Sequence, residues 1–206
     1  YITFIMNERS KMNEKMELDE AIISLNVNIN EHLRTQLISY IDHKAIKPLR
    51  VAASDTEGNG EGELNLDIRK VNGHTLNNNY VADKIYFKHI MELIHTFVPN
   101  YNVKFKHQFG RKLTQVDLLK YKPGGKYTIH VDHDLSSTRT LSCIINLNDE
   151  YKGGDFVFYH PVTNKEYKRI KCQKGTMIFF PSNFLFPHSI EPLTKGTRYS
   201  IVSWIL

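Results

Sequence analysis

The stretch at residues 139–160, "RTLSCIINLNDEYKGGDFVFYH", places two short apolar segments on either side of a polar segment that ends in two glycines. Both apolar segments are rich in β-branched and aromatic residues, which favour β-strands. Glycine, asparagine and aspartate favour turns, because they tolerate backbone conformations that other residues avoid. The stretch therefore predicts two β-strands joined by a turn.

Short segments with the two-residue period of a β-strand also occur on both sides of this pair. Between about residue 114 and residue 206 there are eight short segments of this kind, separated by turn residues: "TQVDLLKY", "KYTIHVDH", "RTLSCIINLN", "GDFVFYH", "KEYKRIK", "GTMIFFP", "HSIEPL" and "TRYSIVSWIL". Many short strands at close spacing are typical of a β-sandwich or jelly roll. We predict an α+β, mainly β fold, a double-stranded β-helix (jelly roll) with N-terminal helices packed on one sheet.

The N-terminal half predicts the helices. After a strand-like "AIISLNVNI", Asn30 is a candidate N-cap for a helix whose apolar residues recur at helical spacing. A second helix is expected over residues 80–98, ended by Pro99. Residues 54–79 are rich in glycine, asparagine and acidic residues, and we expect a long loop there. Together with residues 135–138, this loop is our candidate for a lid over a peptide site.

Length and composition limit the organisation of the chain. With 206 residues we expect a flexible N-terminus at 1–20, a single domain at 21–206, and its catalytic core at about 114–206. We find no apolar run of the roughly 18 residues that a membrane span needs, and no secretion signal, so we expect a soluble cytoplasmic or other intracellular protein without a membrane partner. The net charge of +5 is spread along the chain, which favours a solvated surface over a nucleic-acid site.

Residues 130–134, "HVDHD", predict a metal site. Alternate residues of a strand share a face, so His130 and Asp132 point the same way. A distant histidine brought alongside would complete a 2-His-1-carboxylate triad, which suits non-haem Fe(II). The candidates are His160 and His188, and His188 is favoured because Arg198 follows ten residues later. An arginine there could bind the far carboxylate of a dicarboxylic acid that chelates the metal.

These motifs, in the order "YKPGGKYTIHVDHD", "RTLSCIINLNDEYKGGDFVF", "KGTMIFFPS" and "PHSIEPLTKGTRYSIVSW", carry a family resemblance. The span from about residue 114 to residue 206 resembles the catalytic core of the Fe(II)- and 2-oxoglutarate-dependent dioxygenases, and most of all the prolyl 4-hydroxylases. The resemblance implies an oxidoreductase that uses Fe(II), 2-oxoglutarate and O2, with L-ascorbate as reductant. It implies hydroxylation of a peptidyl proline, of the procollagen-proline type, with release of succinate and CO2.

The resemblance also implies roles for individual residues. The iron ligands would be His130, Asp132 and His188, and the 2-oxoglutarate-binding residues would be Arg198 and Tyr121. Arg139 and Trp204 match positions linked to the substrate. Asn146 is a further candidate for 2-oxoglutarate binding. It replaces a tyrosine that contacts the co-substrate in the oxygen-sensing branch, and because asparagine is shorter, this contact would be water-mediated or absent.

Other functions remain open at this point. The same chemistry could act on peptidyl lysine, a small metabolite or a nucleic acid. Nucleic-acid dealkylating relatives carry a second arginine six residues after the first, and here that position is Trp204. A non-catalytic jelly-roll module that only binds metal is an alternative of a different class, and the intact set of four motif residues speaks against it.

Overall fold

The computed structural model describes residues 17–44, 46–51, 63–106, 108, 110, 112–133 and 139–206. Two α-helices are present in these ranges, α1 (Glu31–His43) and α2 (Val81–Phe105), preceded by a 3-10 helix at Leu18–Ala21. Their strands are β1 (Ile23–Asn26), β2 (Lys47–Pro48), β3 (Arg69–Lys70), β4 (Asn72–Thr75), β5 (Leu113–Tyr121), β6 (Lys126–His130), β7 (Leu141–Asn146), β8 (Tyr151–Gly153), β9 (Phe156–Tyr159), β10 (Glu166–Ile170), β11 (Thr176–Pro181), β12 (His188–Ile190), β13 (Leu193–Gly196) and β14 (Arg198–Ile205).

The strands form two facing antiparallel sheets and one small ribbon. The larger sheet has seven strands in the order β1-β11-β7-β14-β5-β4-β2, and the smaller has five in the order β10-β9-β12-β6-β3. The strands β13 and β8 pair separately. All eight strands predicted from the C-terminal half are present, and the mainly β jelly-roll prediction is confirmed.

The larger sheet has two buried faces. One packs against α1 and α2 in a core that includes Ile94, Val98, Leu118 and Ile201. The other faces the smaller sheet across a second core, which contains Phe158 and further aromatic residues. Because strand residues alternate between the faces, each long strand contributes to both cores.

The two helices begin and end differently from each other. The predicted cap of α1 is confirmed, since the Asn30 side chain accepts a hydrogen bond from the Leu33 backbone at 3.1 Å. The prediction that Pro99 ends the second helix is wrong, because α2 continues to Phe105. The apolar stripe extends beyond the proline through the buried Tyr101, whose hydroxyl donates to Ala21 O at 2.8 Å. Packing of this last part offsets the backbone hydrogen bond that proline cannot make.

The long loop predicted at residues 54–79 is wrong in its second half. Residues 52–62 lie outside the described residues, but β3 and β4 occupy 69–75 and extend the two sheets. β3 pairs with β6, and β4 pairs with β5. Their polar, glycine-containing sequence hides the strands, because β3 is an edge strand with few apolar residues to reveal it.

Two further predictions concern segments that are partly or wholly outside the described residues. Of the N-terminus expected to be flexible, residues 1–16 are outside, whereas Leu18–Ala21 form the 3-10 helix. Residues 135–138, the second half of the predicted lid, are also outside. No helix in the described part of the chain is both long enough and apolar enough to cross a membrane.

Candidate metal centre and adjoining pocket

Strand pairing brings the three predicted ligands together. In the antiparallel pair of β6 and β12, His130 lies directly opposite His188. Asp132 follows two residues after His130 and turns towards both imidazoles. One ligand atom from each residue can be chosen so that all three lie within 4.8 Å of one another. Two imidazoles and one carboxylate in this arrangement could hold a divalent metal and leave further coordination positions open.

The two imidazoles are oriented by backbone carbonyl groups. Nδ1 of His130 lies 2.9 Å from Thr128 O, and Nδ1 of His188 lies 3.0 Å from Phe186 O. A proton on each Nδ1 completes these hydrogen bonds and leaves the Nε2 lone pair free. Each Nε2 lies 3.7 Å from an oxygen of Asp132. The lone pairs and the carboxylate therefore converge.

Each histidine also has an aromatic ring stacked against it. The ring of Tyr127 lies 3.5 Å from that of His130 at 14°, and the ring of Phe156 lies 5.1 Å from that of His188 at 13°. Burial and the neighbouring His188 lower the pKa of His130 to about 3. The imidazole is therefore neutral at physiological pH, which is the form that binds a metal.

Tyr127 was not predicted, because strand parity places it on the opposite face from His130. The pairing of β6 with β12 is irregular: the three steps along β6 from Tyr127 to His130 lie opposite only two steps along β12, from Ile190 to His188. This extra residue is a β-bulge, and it brings Tyr127 and His130 to the same side. The sequence carries no clear signal for such a bulge.

Asp132 is held as a carboxylate by its surroundings. Burial alone would favour the protonated acid, but His188, His130 and a hydrogen bond from Ser142 keep the pKa of Asp132 below its ordinary value. The Ser142 hydroxyl donates to Oδ2 at 2.6 Å and lies 2.8 Å from the hydroxyl of Ser182. Neither serine was predicted as a site residue, although the inward parity of Ser142 was a usable signal.

The three residues line one side of a pocket that opens to the surface. Arg198 lies in its wall, as do Ser200, Val202 and Trp204, so alternate residues of β14 face the pocket. Most of the wall is apolar or aromatic, with contributions from Leu119, Tyr121, Tyr127, Ile144, Phe156 and Ile190. Such walls keep water away from the reacting atoms.

Arg198 is a buried cation with an open hydrogen-bonding edge. The residue is 1% exposed, and its Nε donates to the Asn146 side-chain oxygen at 3.0 Å. Its Nη1 and Nη2 are buried, and neither has a hydrogen-bond partner in the described part of the chain. Burying an unpaired charge is costly, so a carboxylate is the expected partner of these two nitrogens. The ring of Tyr121 lies 5.3 Å from the guanidinium carbon.

Asn146 is occupied by protein groups. Its side-chain nitrogen lies within hydrogen-bond distance of three carbonyl oxygens, those of Asn148, Cys172 and Gln173. Its oxygen accepts from Arg198. A contact between Asn146 and a co-substrate therefore stays a prediction, whereas its hydrogen bond with Arg198 is observed.

The remaining candidates lie at the edge of the site or away from it. The guanidinium carbon of Arg139 lies 3.7 Å from the centre of the Trp204 ring, and its Nη1 donates to Asp132 O at 3.1 Å. Arg139 thus supports both residues, and its contact with a substrate stays a prediction. His160 accepts two backbone hydrogen bonds at 3.2 Å within its own turn, so it is not the third member of the cluster. His133 approaches Arg139 O, and Asp134 lies outside the described residues.

Comparison with known proteins agrees with this geometry. A family model described as the 2OG-Fe(II) oxygenase superfamily matches residues 116–206. A PKHD-type hydroxylase of Prochlorococcus marinus is 29% identical over 178 residues, which cover 82% of this chain and 78% of that protein. A PKHD-type hydroxylase of Aliarcobacter butzleri is 35% identical over 96 residues, covering 42% of this chain and only 40% of the relative.

Solved structures show the same fold. A prolyl 4-hydroxylase of Pseudomonas putida superposes with a TM-score of 0.66 at 16% identity, covering 90% of this chain and 92% of the other. A prolyl hydroxylase of Trichoplax adhaerens, solved with a peptide fragment of hypoxia inducible factor, gives a TM-score of 0.70 at 17% identity, covering 90% and 83%.

The superfamily implies Fe(II), 2-oxoglutarate and O2, and the site fits them. The converging His130, Asp132 and His188 suit the metal, and the two unpaired nitrogens of Arg198 suit a carboxylate. Residues 116–206 of this chain belong to the 2OG-Fe(II) oxygenase superfamily, and its fold is like that of the prolyl 4-hydroxylases.

Proposed function

We propose that this oxygenase hydroxylates a peptidyl proline, as a prolyl 4-hydroxylase does, with release of succinate and CO2. The observation that carries the proposal is the pair of unpaired, buried nitrogens of Arg198 in the same pocket as the cluster of two histidines and an aspartate. This pair of features suits a dicarboxylic co-substrate that bridges the metal and the arginine. The two similar solved structures are named as prolyl hydroxylases, which supports a prolyl substrate, and a proline-containing protein or peptide is the partner we propose.

Each residue has a proposed role. His130, Asp132 and His188 bind Fe(II), and Arg198 pairs with the far carboxylate of 2-oxoglutarate. Tyr121 lies beside the guanidinium group and helps to hold the same carboxylate. Trp204 lines the pocket on the substrate side, with Arg139 stacked on it. L-ascorbate is the proposed reductant that keeps the iron as Fe(II).

The chain orients and shields the chemistry. When bound, Fe(II) and 2-oxoglutarate supply the activation of O2 that inserts one oxygen atom into a C–H bond. Ser142 holds the Asp132 carboxylate in one orientation, and the two Nδ1 hydrogen bonds hold both imidazoles with Nε2 inward. The aromatic and aliphatic wall excludes water, which protects reactive species from side reactions.

Succinate release tests this function. The protein is incubated in air with Fe(II), 2-oxoglutarate and ascorbate, with and without proline-rich peptides, beside an Asp132→Ala variant. We expect peptide-stimulated succinate release and a peptide that gains the mass of one oxygen atom at proline. Both signals should disappear in the variant.

The other outcomes separate the remaining possibilities. Turnover that no proline peptide stimulates would contradict the prolyl substrate and direct the search to lysyl peptides, metabolites or nucleic acids. A protein that binds metal but neither binds nor converts 2-oxoglutarate would instead be a non-catalytic metal-binding jelly roll.

A further inference from the structure

A second arginine faces the pocket, in a position that the roles above do not use. Arg69 lies in β3, at the edge of the five-stranded sheet, directly opposite Tyr127 of β6. Its guanidinium carbon lies 4.7 Å from the centre of the Tyr127 ring, which stacks on His130. Arg69 therefore lies two side chains away from the metal centre and forms part of the same pocket wall.

The guanidinium group of Arg69 is only partly occupied. Its Nη1 donates to Arg50 O at 2.8 Å, which fixes its orientation. Its Nε is buried and has no hydrogen-bond partner among the described residues. Within the same part of the chain, no hydrogen bond is found from Nη2 either. The edge formed by Nε and Nη2 therefore has no protein partner among the described residues.

Two other arginines show what this edge binds in the same protein. Nε and Nη2 of Arg169 donate to the two oxygens of Glu166 at 2.9 and 2.7 Å. Nε and Nη2 of Arg34 grip the two oxygens of Glu31 in the same way. In both cases the edge takes a carboxylate with two parallel hydrogen bonds, the geometry in which arginine binds carboxylates best. Arg69 presents this edge without a glutamate.

The charges of the pocket also indicate an anionic partner. In the proposed complex, the charges of Fe(II) and Arg198 are balanced by Asp132 and the two carboxylates of 2-oxoglutarate. Tyr121 and Tyr127 are neutral, because burial raises the pKa of each. The positive charge of Arg69 is then left over. A substrate that brings one negative charge to this side would balance it in a low-dielectric environment, where such pairing is strong.

We propose that Arg69 is a specificity residue that binds a carboxylate of the substrate through Nε and Nη2. Within the peptidyl function proposed above, on which this inference rests, the carboxylate belongs to an acidic residue near the hydroxylated proline. An α-carboxylate at a peptide C-terminus has the same chemistry and is the other possible source.

Paired peptides test the role of Arg69. Each pair has one proline and either glutamate or glutamine at one flanking position, and a further pair ends after the proline in a free carboxylate or an amide. Binding to the iron-free protein is measured by fluorescence anisotropy, and KM and kcat are measured by succinate release. We expect the acidic member of at least one pair to bind about tenfold more tightly, with a matching change in KM and little change in kcat.

Three variants assign the preference to one side chain. Arg69→Gln should reduce the ratio of the affinities for acidic and neutral peptides to about one, since both the charge and the edge formed by Nε and Nη2 are lost. Arg69→Lys keeps the charge but cannot donate two parallel hydrogen bonds, so it should retain only part of the preference for the acidic peptide. Lys70→Gln is the matched control, because this exposed neighbour carries the same charge outside the pocket wall, and it should keep the full ratio. Thermal unfolding and 2-oxoglutarate affinity confirm that the variants are folded and have an intact centre.

The results separate this inference from the proposed function. Equal binding of every pair by the unmodified protein, or a preference that survives in Arg69→Gln, would overturn the role of Arg69. A preference confined to the free C-terminal carboxylate would support the role and identify that group as the source. Binding is measured without turnover, so a failure of prolyl hydroxylation would show in the succinate assay alone.

Discussion

The two faces of the seven-stranded sheet are both buried but differ in chemistry. On the central strand β14, Ile201 and Ile205 face the helices, whereas Arg198 and Ser200 face the other sheet. The helix-side core consists of aliphatic and aromatic side chains, with Asp83 and Ser203 as buried polar residues next to it. The inner face contains buried serine, asparagine, aspartate and arginine side chains among its apolar residues.

The difference shows how one strand can serve stability and binding at once. Aliphatic residues on the helix side gain free energy from burial without needing specific partners. Polar residues on the inner face need partners, and the Nη atoms of Arg198 have none in the described part of the chain. The helix side of the sheet therefore stabilises the fold. This stability allows the inner face to hold polar groups that point towards a ligand.

The largest effect should come from removing the carboxylate of the inner face. Asp132→Ala is expected to lower bound iron and succinate release by more than about 100-fold, since losing partners of a metal ligand already costs 10- to 100-fold. Metal analysis and the succinate assay check this. Asp149→Ala, which removes an exposed carboxylate, is the control. Full iron loading of Asp132→Ala would contradict the assigned ligand set.

Substitutions of adjacent residues in β14 should show that the two faces of the sheet act independently. Ile201→Ala leaves a cavity in the helix-side core and is expected to lower the free energy of unfolding by about 2–5 kcal/mol. The affinity of the folded molecules for 2-oxoglutarate should be unchanged. For Ser200→Ala we expect a change in stability within about 1 kcal/mol. Urea unfolding and calorimetric titration measure both quantities, and a weakened 2-oxoglutarate site in Ile201→Ala would show that the faces are not independent.

A smaller effect should follow from loosening Arg198. Asn146→Ala removes the acceptor of its Nε and is expected to weaken 2-oxoglutarate binding about tenfold. Calorimetry with Mn(II) in place of iron measures this affinity. The control is Asn148→Ala, because Asn148 is also a buried amide, but it bonds Thr197 O and the Tyr199 backbone. Equal losses of affinity in the two variants would mean that Asn146 acts only through stability.

The smallest effect is expected on the helix side, at the one buried carboxylate of α2 in the described part of the chain. Asp83 accepts hydrogen bonds from Tyr40 and the Asn77 backbone, and contacts His74. Burial opposes its charge, but these partners keep the pKa of Asp83 below its ordinary value. Its stabilising effect is therefore present above the pKa of the unfolded chain and is lost as the pH falls through the lower folded value.

Asp83→Asn tests this pH dependence. At neutral pH the variant should be less stable by about 1 kcal/mol, and the difference should shrink as the pH falls below about 4. Urea unfolding at several pH values measures it, with succinate release at neutral pH as the check that the site is intact. A difference that grows in acid would mean that the folded pKa is raised instead.

The strands and the metal cluster could be predicted because their signals are local. Alternation along a strand placed His130 and Asp132 on one face, and the ten-residue spacing of His188 and Arg198 completed the prediction of a cluster that the fold brings together. These predictions need only the period of a strand and the chemistry of the ligands.

The missed features depend on tertiary contacts. β3 and β4 have few apolar residues and are ordered by pairing with β5 and β6, so composition predicts a loop there. Pro99 lies inside α2, because packing beyond it outweighs a lost backbone hydrogen bond. The open edge of Arg69 is visible only when its neighbours are known.

The bulge in β6 limits which changes of chain length the protein can accept. Turns such as the exposed one at residues 162–165 connect strands at the surface, where insertions are generally tolerated. A deletion of one residue between Tyr127 and His130 would remove the bulge and turn one of the two rings to the opposite face. The separation of three residues between the tyrosine and the first histidine is thus fixed by the bulge. Other sequences with this metal cluster can be examined for the same separation.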